Sequence, residues 1–289
     1  MYKILTKREL NDAVTMMEVE APLIAAKAKA GQFIIFRVDE YGERIPLTVA
    51  GTDTERGAVM IIFQKVGKGT QRLGALEVGD AILDFVGPLG HPSELEGYEH
   101  ACVVGGGVGC AIAYPSAKAL HAQGTEVTVI AGFRNKDIVI LEDEFAAIAD
   151  ELHITTDDGS YGTKGFVTDK LKELIAQREA EGRPPFDLVV AIGPVVMMKF
   201  VAKLTAEYGI KTLVSLNPIM VDGTGMCGGC RVTVNNEIKF ACVDGPEFDG
   251  HQVDFDELIL RNNMYRDQES KGKPHYCRIG LTAARDEEE

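Results

Sequence analysis

Tryptophan is absent from this sequence, and cysteine occurs only six times in 289 residues. Aliphatics, 12 phenylalanines and 8 tyrosines must therefore fill the core. Six cysteines cannot staple a chain this long, so a small disulfide scaffold is excluded. Positive charge is also scarce: 30 Lys and Arg stand against 44 Asp and Glu, a formal net charge of −14. Such a surface lacks the basic stripe of a nucleic-acid binder, and an anionic membrane repels it. No run of 18 apolar residues occurs, so no membrane span is expected. Met1–Leu10 (MYKILTKREL) carries charge where a signal peptide needs an apolar stretch. The expected compartment is the cytoplasm, with cysteines as thiols, core residues or metal ligands.

Glycine is what the chain has in plenty, with 31 residues. Length divided by about 150 gives two domains. The first 97 residues read as short strands over Val14–Val19, Gln32–Val38, Pro46–Gly51, Val59–Val66 and Asp80–Val86. This spacing predicts an antiparallel barrel or sandwich, broken by Gly87-Pro88-Leu89-Gly90-His91-Pro92. Over 98–216 the grammar changes to strand–helix alternation. Strands are expected at Ala101–Gly105, Val127–Gly132, Leu152–Thr155, Leu188–Ile192 and Thr212–Leu216. Helices are expected at Ala111–Gln123, Leu141–Ala149, Val167–Ala180 and Val196–Glu207. That alternation predicts a doubly wound parallel sheet. Residues 217–289 form a Gly- and Cys-rich segment with a hairpin, Arg231–Val234 and Ile238–Cys242 about Asn235-Asn236, and a charged tail, Arg285–Glu289.

Three features carry chemistry. Asp222, Cys227, Cys230 and Cys242 follow the spacing Asp-x4-Cys-x2-Cys-x11-Cys, which supplies four ligands. A plant-type [2Fe–2S] site has C-x4-C-x2-C…C, with Asp222 here in the first position. Zinc accepts the same donors, and a Gly-rich loop with unliganded thiols is the plainest alternative. Second, Gly105-Gly106-Gly107-Val108-Gly109 follows a strand and opens a helix, where backbone amides can meet a phosphate. Strict G-x-G-x-x-G fails, because Cys110 holds the last position, and a tight strand-to-helix turn is the alternative. Third, Arg44-Ile45-Pro46-Leu47-Thr48 and Val66-Gly67-Lys68-Gly69-Thr70 offer an arginine for a flavin pyrophosphate and a hydroxyl for its ring. Each is otherwise an ordinary strand end and turn.

The order of barrel, nucleotide sheet and cluster segment resembles the ferredoxin–NADP reductase superfamily. Within it, Met220–Val234 and Phe240–Phe248 are similar to the electron-transfer subunits of the dihydroorotate dehydrogenase B type. The closer resemblance is to the small subunits of electron-bifurcating, NADH-dependent reduced ferredoxin:NADP⁺ oxidoreductases; the beta subunit of sulfide dehydrogenase is also similar. The dihydroorotate subunits have Cys where Asp222 stands, whereas the transhydrogenase subunits have Asp. The resemblance implies FAD at Arg44, Pro46, Leu47, Thr48, Val66, Gly69 and Thr70. It implies NAD(H) at Gly106, Gly107, Gly109, Arg134 and Gly193, and a [2Fe–2S] cluster on Asp222, Cys227, Cys230 and Cys242. In the superfamily's Arg-x-Tyr-Ser pattern the arginine lies three before the hydroxyl residue; here Arg44 lies four before Thr48. The resemblance also implies a heterodimer with a larger flavin and iron–sulfur subunit, through which ferredoxin is reached, and no acid–base catalytic residue.

Nucleotide choice is open at Gly132-Phe133-Arg134-Asn135-Lys136-Asp137. Arg134 and Lys136 suit a 2′-phosphate, Asp137 suits a free 2′-hydroxyl, and a solvated turn would explain all three. Thr155–Gly162 resembles a family loop near the nucleotide. Cys102 and Cys110 read as core residues, Cys277 beside His275 as incidental, and His91 as a turn residue. The function expected is a redox subunit. The alternatives are a dihydroorotate or sulfide dehydrogenase subunit, or a zinc-stabilised nucleotide module without redox turnover.

Overall fold

The structure is a computed structural model, and it describes residues 1–266. Cys277 and the Arg285–Glu289 tail lie outside the described residues. The first half is built from β1 (Tyr2–Asn11), β2 (Val14–Glu20), α1 (Pro22–Ala25), β3 (Phe33–Arg37), β4 (Ile45–Asp53), β5 (Ala58–Gln64), α2 (Lys68–Ala75), β6 (Ala81–Ile82) and β7 (Asp84–Leu89). These strands pair antiparallel in the order β6-β1-β2-β5-β4-β3-β7. The two edge strands β6 and β7 are joined by Leu83 alone. One continuous stretch thus carries both edges, and the sheet curls into a nearly closed barrel. A barrel leaves little free strand edge to aggregate. Ile4, Met17, Val19, Ile34, Phe36, Ile61, Phe63, Leu73 and Phe85 fill its interior.

The alternation of β3 serves two layers. Ile34 and Phe36 point into the barrel, while Phe33 and Ile35 point outward into a second apolar cluster with Cys230, Ala241 and Cys242. A strand buried on both faces reads as an unbroken apolar run, here Phe33-Ile34-Ile35-Phe36.

The second half runs β8 (His100–Gly106), α3 (Gly109–Ala122), β9 (Glu126–Phe133), α4 (Glu142–Ala146), β10 (Glu151–Thr156), β11 (Thr163–Lys164), α5 (Val167–Ala180), β12 (Leu188–Ile192), α6 (Val195–Glu207) and β13 (Lys211–Ser215). After it come β14 (Arg231–Val234), β15 (Glu237–Phe240), β16 (Glu247–Asp249) and α7 (Phe255–Asn262). The large sheet has the order β11-β10-β9-β8-β12-β13-β16, parallel except for β16. Ala101 and Val103 of β8 pack with α3, and Cys102 and Val104 with α5 and α6. From β8 the chain builds outward through β9 and β10, then returns to place β12 on the other side. The strand order therefore switches between β8 and β12, which opens a crevice at their C-terminal ends.

Several elements differ from the sequence expectations. β1 carries Lys3, Lys7, Arg8 and Glu9, and only Ile4 within it is fully buried, so it shows no apolar alternation. α2 stands where a turn was expected, and α4 is shorter than the predicted Leu141–Ala149. β7 continues through Pro88 to Leu89 instead of breaking at Gly87. The C-terminal segment is not a simple appendage, because β16 completes the large sheet beside β13. The hairpin forms as expected, with Asn235 and Asn236 at φ 52° and 59°, the left-handed pair that a tight two-residue turn needs.

Ile35→Ala should cost about 2–5 kcal/mol and loosen the layer outside the barrel first. Amide hydrogen exchange checks this: protection should fall in the segment around Cys230 and Cys242 more than in β5. Equal loss in both would refute the two-layer role of β3.

Candidate functional site

The crevice at the switch point is a cavity of about 990 Å³, at the upper end of the range for small-molecule sites. Gly106, Gly107, Gly109, Arg134 and Gly193, all singled out in the sequence, line it together. Gly107 has φ 56°. A Cβ on Gly109 would lie 2.5 Å from the Ile192 carbonyl oxygen and 2.7 Å from the Gly193 Cα. Glycine there is what lets the first turn of α3 press against the end of β12. Gly106, Gly107, Val108 and Gly109 line the crevice at the start of α3, and a helix N-terminus is a place where an anion is received.

The basic pair at the end of β9 is separated. Arg134 is exposed in the cavity and has no ion pair or hydrogen bond from its side chain to the described residues. Lys136 Nζ lies 5.4 Å over the Tyr161 ring, in a second hollow of about 810 Å³ with Arg8 and Glu142. Of the Thr155–Gly162 loop, Thr155 and Asp157 line the larger cavity and Tyr161 the second hollow. The larger cavity also takes residues that no motif announced: Asn11, Ala13 and Gln64 from the barrel, and Phe166 and Phe200 at its mouth. The two phenylalanines are 64% and 52% exposed. Large apolar side chains left in solvent at a cavity mouth were a signal available only from structure.

The flavin-type residues gather at a different place, on the barrel. β4 lies beside β3 in the register Phe33↔Thr48, Ile34↔Leu47 and Ile35↔Pro46. A Cβ on Gly69, in the first turn of α2, would overlap the Ile45 side chain, so Val66–Thr70 and Arg44–Thr48 are neighbours. The Arg72–Asp39 ion pair ties α2 to the loop before β4. Thr70 Oγ1 accepts from the Val66 and Gly67 amides and donates to the Gly67 carbonyl, each at 3.1 Å. Its hydroxyl therefore builds the start of α2. Arg44 is exposed, and its side chain has no ion pair or hydrogen bond among the described residues.

Asp222, Cys227 and Cys230 lie on one loop, and Cys242 follows the β14–β15 hairpin. Asp222 Oδ1 accepts from Thr224 N at 2.8 Å and Oδ2 from Cys227 N at 3.1 Å. These amides hold the Asp222 carboxyl below the usual carboxylate range and leave lone pairs on both oxygens. Gly229 N donates to Cys227 Sγ, and Cys242 N to Cys230 Sγ, both at 3.4 Å. Cys230 and Cys242 are buried and Cys227 is exposed. Burial and the adjacent Cys230 push the Cys242 thiol up to about 12, so a metal cation is what would make it a thiolate. Among the described residues no three His, Cys, Asp or Glu side chains converge on one ion-sized point. The fit to a two-iron centre rests on the donor chemistry: three soft thiols, one carboxylate and amides already aimed at sulfur. The loop is seated on the barrel, where a Cβ at Gly223 would come within 2.5 Å of Ile35 Cδ1. Arg261 of α7 holds its far side through the Gly229 carbonyl at 3.3 Å.

Cys102 and Cys110 are fully buried, and burial raises both thiols far above their ordinary range, Cys110 to about 12. They are core residues. Among the described residues no helix is long and apolar enough to cross a membrane.

Comparison with known proteins bears on the same regions. Residues 217–254 match the iron–sulfur cluster binding domain of dihydroorotate dehydrogenase B. A dihydroorotate dehydrogenase B (NAD⁺) electron transfer subunit homolog from Thermotoga maritima is 49% identical, over 99% of this chain and 98% of that one. The electron transfer subunit itself from Fusobacterium nucleatum is 33% identical, over 83% of this chain and 92% of that one. Among solved structures, a chain of an NADH-dependent reduced ferredoxin–NADP oxidoreductase, described for flavin-based electron bifurcation, superposes with a TM-score of 0.88. It is 48% identical, covering 96% of this chain and 98% of that chain.

Two substitutions test the crevice packing. At Gly106 the nearest neighbour of an added Cβ is Met197 Sδ at 2.5 Å, the flexible end of a side chain, whereas at Gly109 it is backbone. Gly109→Ala should cost about 1–3 kcal/mol and Gly106→Ala less. Thermal unfolding of the two variants measures the order, and the reverse order would contradict the β8–β12 packing.

Proposed function

Because this chain belongs to the family of dihydroorotate dehydrogenase B electron-transfer subunits and their homologues, we propose that it passes electrons between NAD(H) and a larger flavin and iron–sulfur partner subunit. The whole assembly would be an electron-bifurcating NADH/ferredoxin:NADP⁺ transhydrogenase. The chain is an oxidoreductase of the NAD(P)H–flavin type. The observation that carries the reading is the seating of the Asp222–Cys242 donor set on β3, one strand away from Pro46–Thr48.

The residues divide the work. The amides at the start of α3 and the unpaired Arg134 guanidinium bind the phosphates of the dinucleotide. Gly193 and Pro194 line the same cavity as the barrel residues Asn11, Ala13 and Gln64, and would meet the nicotinamide half. Pro46, Leu47 and Thr48 present a strand edge to FAD, while Gly69 at the start of α2 and Arg44 face its phosphates. Bound FAD supplies the exchange between two-electron hydride chemistry and single electrons. Asp222, Cys227, Cys230 and Cys242 would hold a [2Fe–2S] cluster, and the N–H···S bonds from Gly229 and Cys242 together with the hard oxygen of Asp222 would tune its potential. No side-chain acid or base is needed for hydride transfer. The protein's part is positioning and exclusion of water.

The partner reading has its own support. Val221, Met226 and Val243 stand 54%, 89% and 38% exposed beside Cys227. Apolar surface around an exposed ligand suits a face that another subunit covers. The relatives' names favour a second partner chemistry, dihydroorotate oxidation. Asp222 favours the bifurcating type, because the dihydroorotate subunits carry Cys there.

The purified protein should show flavin absorption with a broad cluster shoulder, and about two irons per chain. A colourless protein holding one zinc would overturn the reading. Asp222→Cys should keep the iron and move the cluster's midpoint potential in a redox titration; an unmoved midpoint would remove Asp222 from the ligand set. Co-purification of the partner and its substrate profile separate the two partner chemistries.

A further inference from the structure

The strands of the parallel sheet end along the large cavity in the order β10, β9, β8, β12, β13. Arg134 follows β9, the first turn of α3 follows β8, Gly193 follows β12, and Ser215 and Asn217 stand at the end of β13. A dinucleotide held by its pyrophosphate at the start of α3 sends one half to each side. The two sides differ. Next to β13 lies β16, whose Phe248 pairs with Val214 and packs in the apolar cluster with Cys230 and Cys242. The β9 side leads away from that layer, to β10 and β11 at the far edge. The redox-active half of the nucleotide must meet the electron path, so it belongs over β12 and β13.

Two polar side chains line the cavity there, Ser215 and Asn217, and neither makes a hydrogen bond among the described residues. Asn217 is exposed, but the residues on both sides of it are anchored. Leu216 is buried and its amide donates to the Pro246 carbonyl at 2.9 Å. Pro218 is buried too, and a residue before proline is held extended. In an extended chain positions 215 and 217 share a face, which here is the cavity, while Leu216 takes the core. A fixed backbone thus carries a free carboxamide to the nicotinamide side. A carboxamide offers one acceptor oxygen and an NH₂ donor, the same pair that the carboxamide of nicotinamide presents, so the two can join by two N–H···O bonds. Of the barrel carboxamides in the cavity, Asn11 is already committed, because its Oδ1 accepts from the Ala13 and Val14 amides, both at 2.9 Å. Gln64 stands at the end of β5, opposite Val14.

We propose that Asn217 recognises the nicotinamide carboxamide, its Nδ2 donating to the carboxamide oxygen and its Oδ1 accepting from the carboxamide nitrogen. It is a positioning residue: it fixes which way the ring lies over Gly193 and Pro194, and it takes no part in the chemistry. The proposal rests on the NAD(H) reading of the cavity.

Calorimetric titration of the holoprotein tests it with two ligands. Tetrahydro-NADH keeps the carboxamide and cannot give up a hydride; ADP-ribose lacks the whole nicotinamide ring. Asn217→Ala should weaken tetrahydro-NADH about tenfold, the loss of a pair of neutral hydrogen bonds, and leave ADP-ribose as in wild type. Unchanged ADP-ribose binding also shows that the variant's cavity is intact. Asn217→Asp, which keeps the acceptor and loses the donor, should show the same selective loss. Equal weakening of both ligands would make Asn217 structural and overturn the proposal, and so would a selective loss in Gln64→Ala with Asn217→Ala binding like wild type. A wild-type protein that binds neither ligand overturns this proposal together with the NAD(H) reading. A wild type that binds both, with Asn217→Ala indistinguishable from it, overturns this proposal alone.

Discussion

Everything in this molecule that concerns electrons depends on β3 being buried on both faces. Ile34 and Phe36 are core for the barrel, and Phe33 and Ile35 are the floor for the cluster loop. Each such side chain contributes about 1.5–3 kcal/mol on burial, so the loop is held by the same strand that organises the barrel. β4 hangs from β3 by its ladder and brings Pro46–Thr48 to the same neighbourhood. Electron transfer between two cofactors needs a fixed, short separation, and in the proposed reading β3 is the strand that would set it. The remaining structure holds that strand still: β7 covers its other edge, and β16 ties the cluster segment to the large sheet.

Much of this was legible in the sequence, because the relevant signals are local. In the Val167–Ala180 helix the buried Val167, Leu171, Leu174 and Ile175 recur at helical spacing, and Leu188–Ile192 is an unbroken apolar run of the kind a strand buried on both faces shows. The Asn235-Asn236 turn announces its hairpin by residue type alone. What stayed hidden is decided by contacts distant in sequence. β1 is a polar strand whose pairing with β2, and not its composition, makes it a strand. β16 has three residues, too few to show a period, and exists only because β13 leaves an edge open. At the site, the spacing of Asp222, Cys227, Cys230 and Cys242 was readable, and so was the glycine loop. The divergence of Arg134 from Lys136 was not, because two residues so close in sequence are separated by the turn between them.

That divergence changes how the nucleotide cavity reads. A run with Arg134 and Lys136 looks like a grip for an extra phosphate. With Lys136 withdrawn over Tyr161, Arg134 is the one cation that lines the cavity among the described residues. A single arginine at a helix N-terminus suits a pyrophosphate, and among the described residues no second cation lines the cavity beside Arg134 for a 2′-phosphate. Cavity geometry thus agrees with NAD(H) where the bare sequence left the choice open.

Charge placement follows the same division between the two ends of the parallel sheet. At the N-terminal ends of its strands, Arg178 and Arg183 both pair with Glu126, at 2.7 and 2.9 Å, and Arg183 also reaches Glu151 at 2.8 Å. The Arg178 bond holds the Glu126 carboxyl below the usual range. These two arginines are spent on carboxylates within the protein. At the C-terminal ends, Arg134, unpaired among the described residues, lines the same cavity as the start of α3. A parallel sheet directs its loops so that ligands meet it at that end, and the charges sort accordingly. Arg178 and Arg183 are satisfied by carboxylates at one end of the sheet, and Arg134, the proposed contact of the nucleotide phosphates, is left unpaired among the described residues at the other.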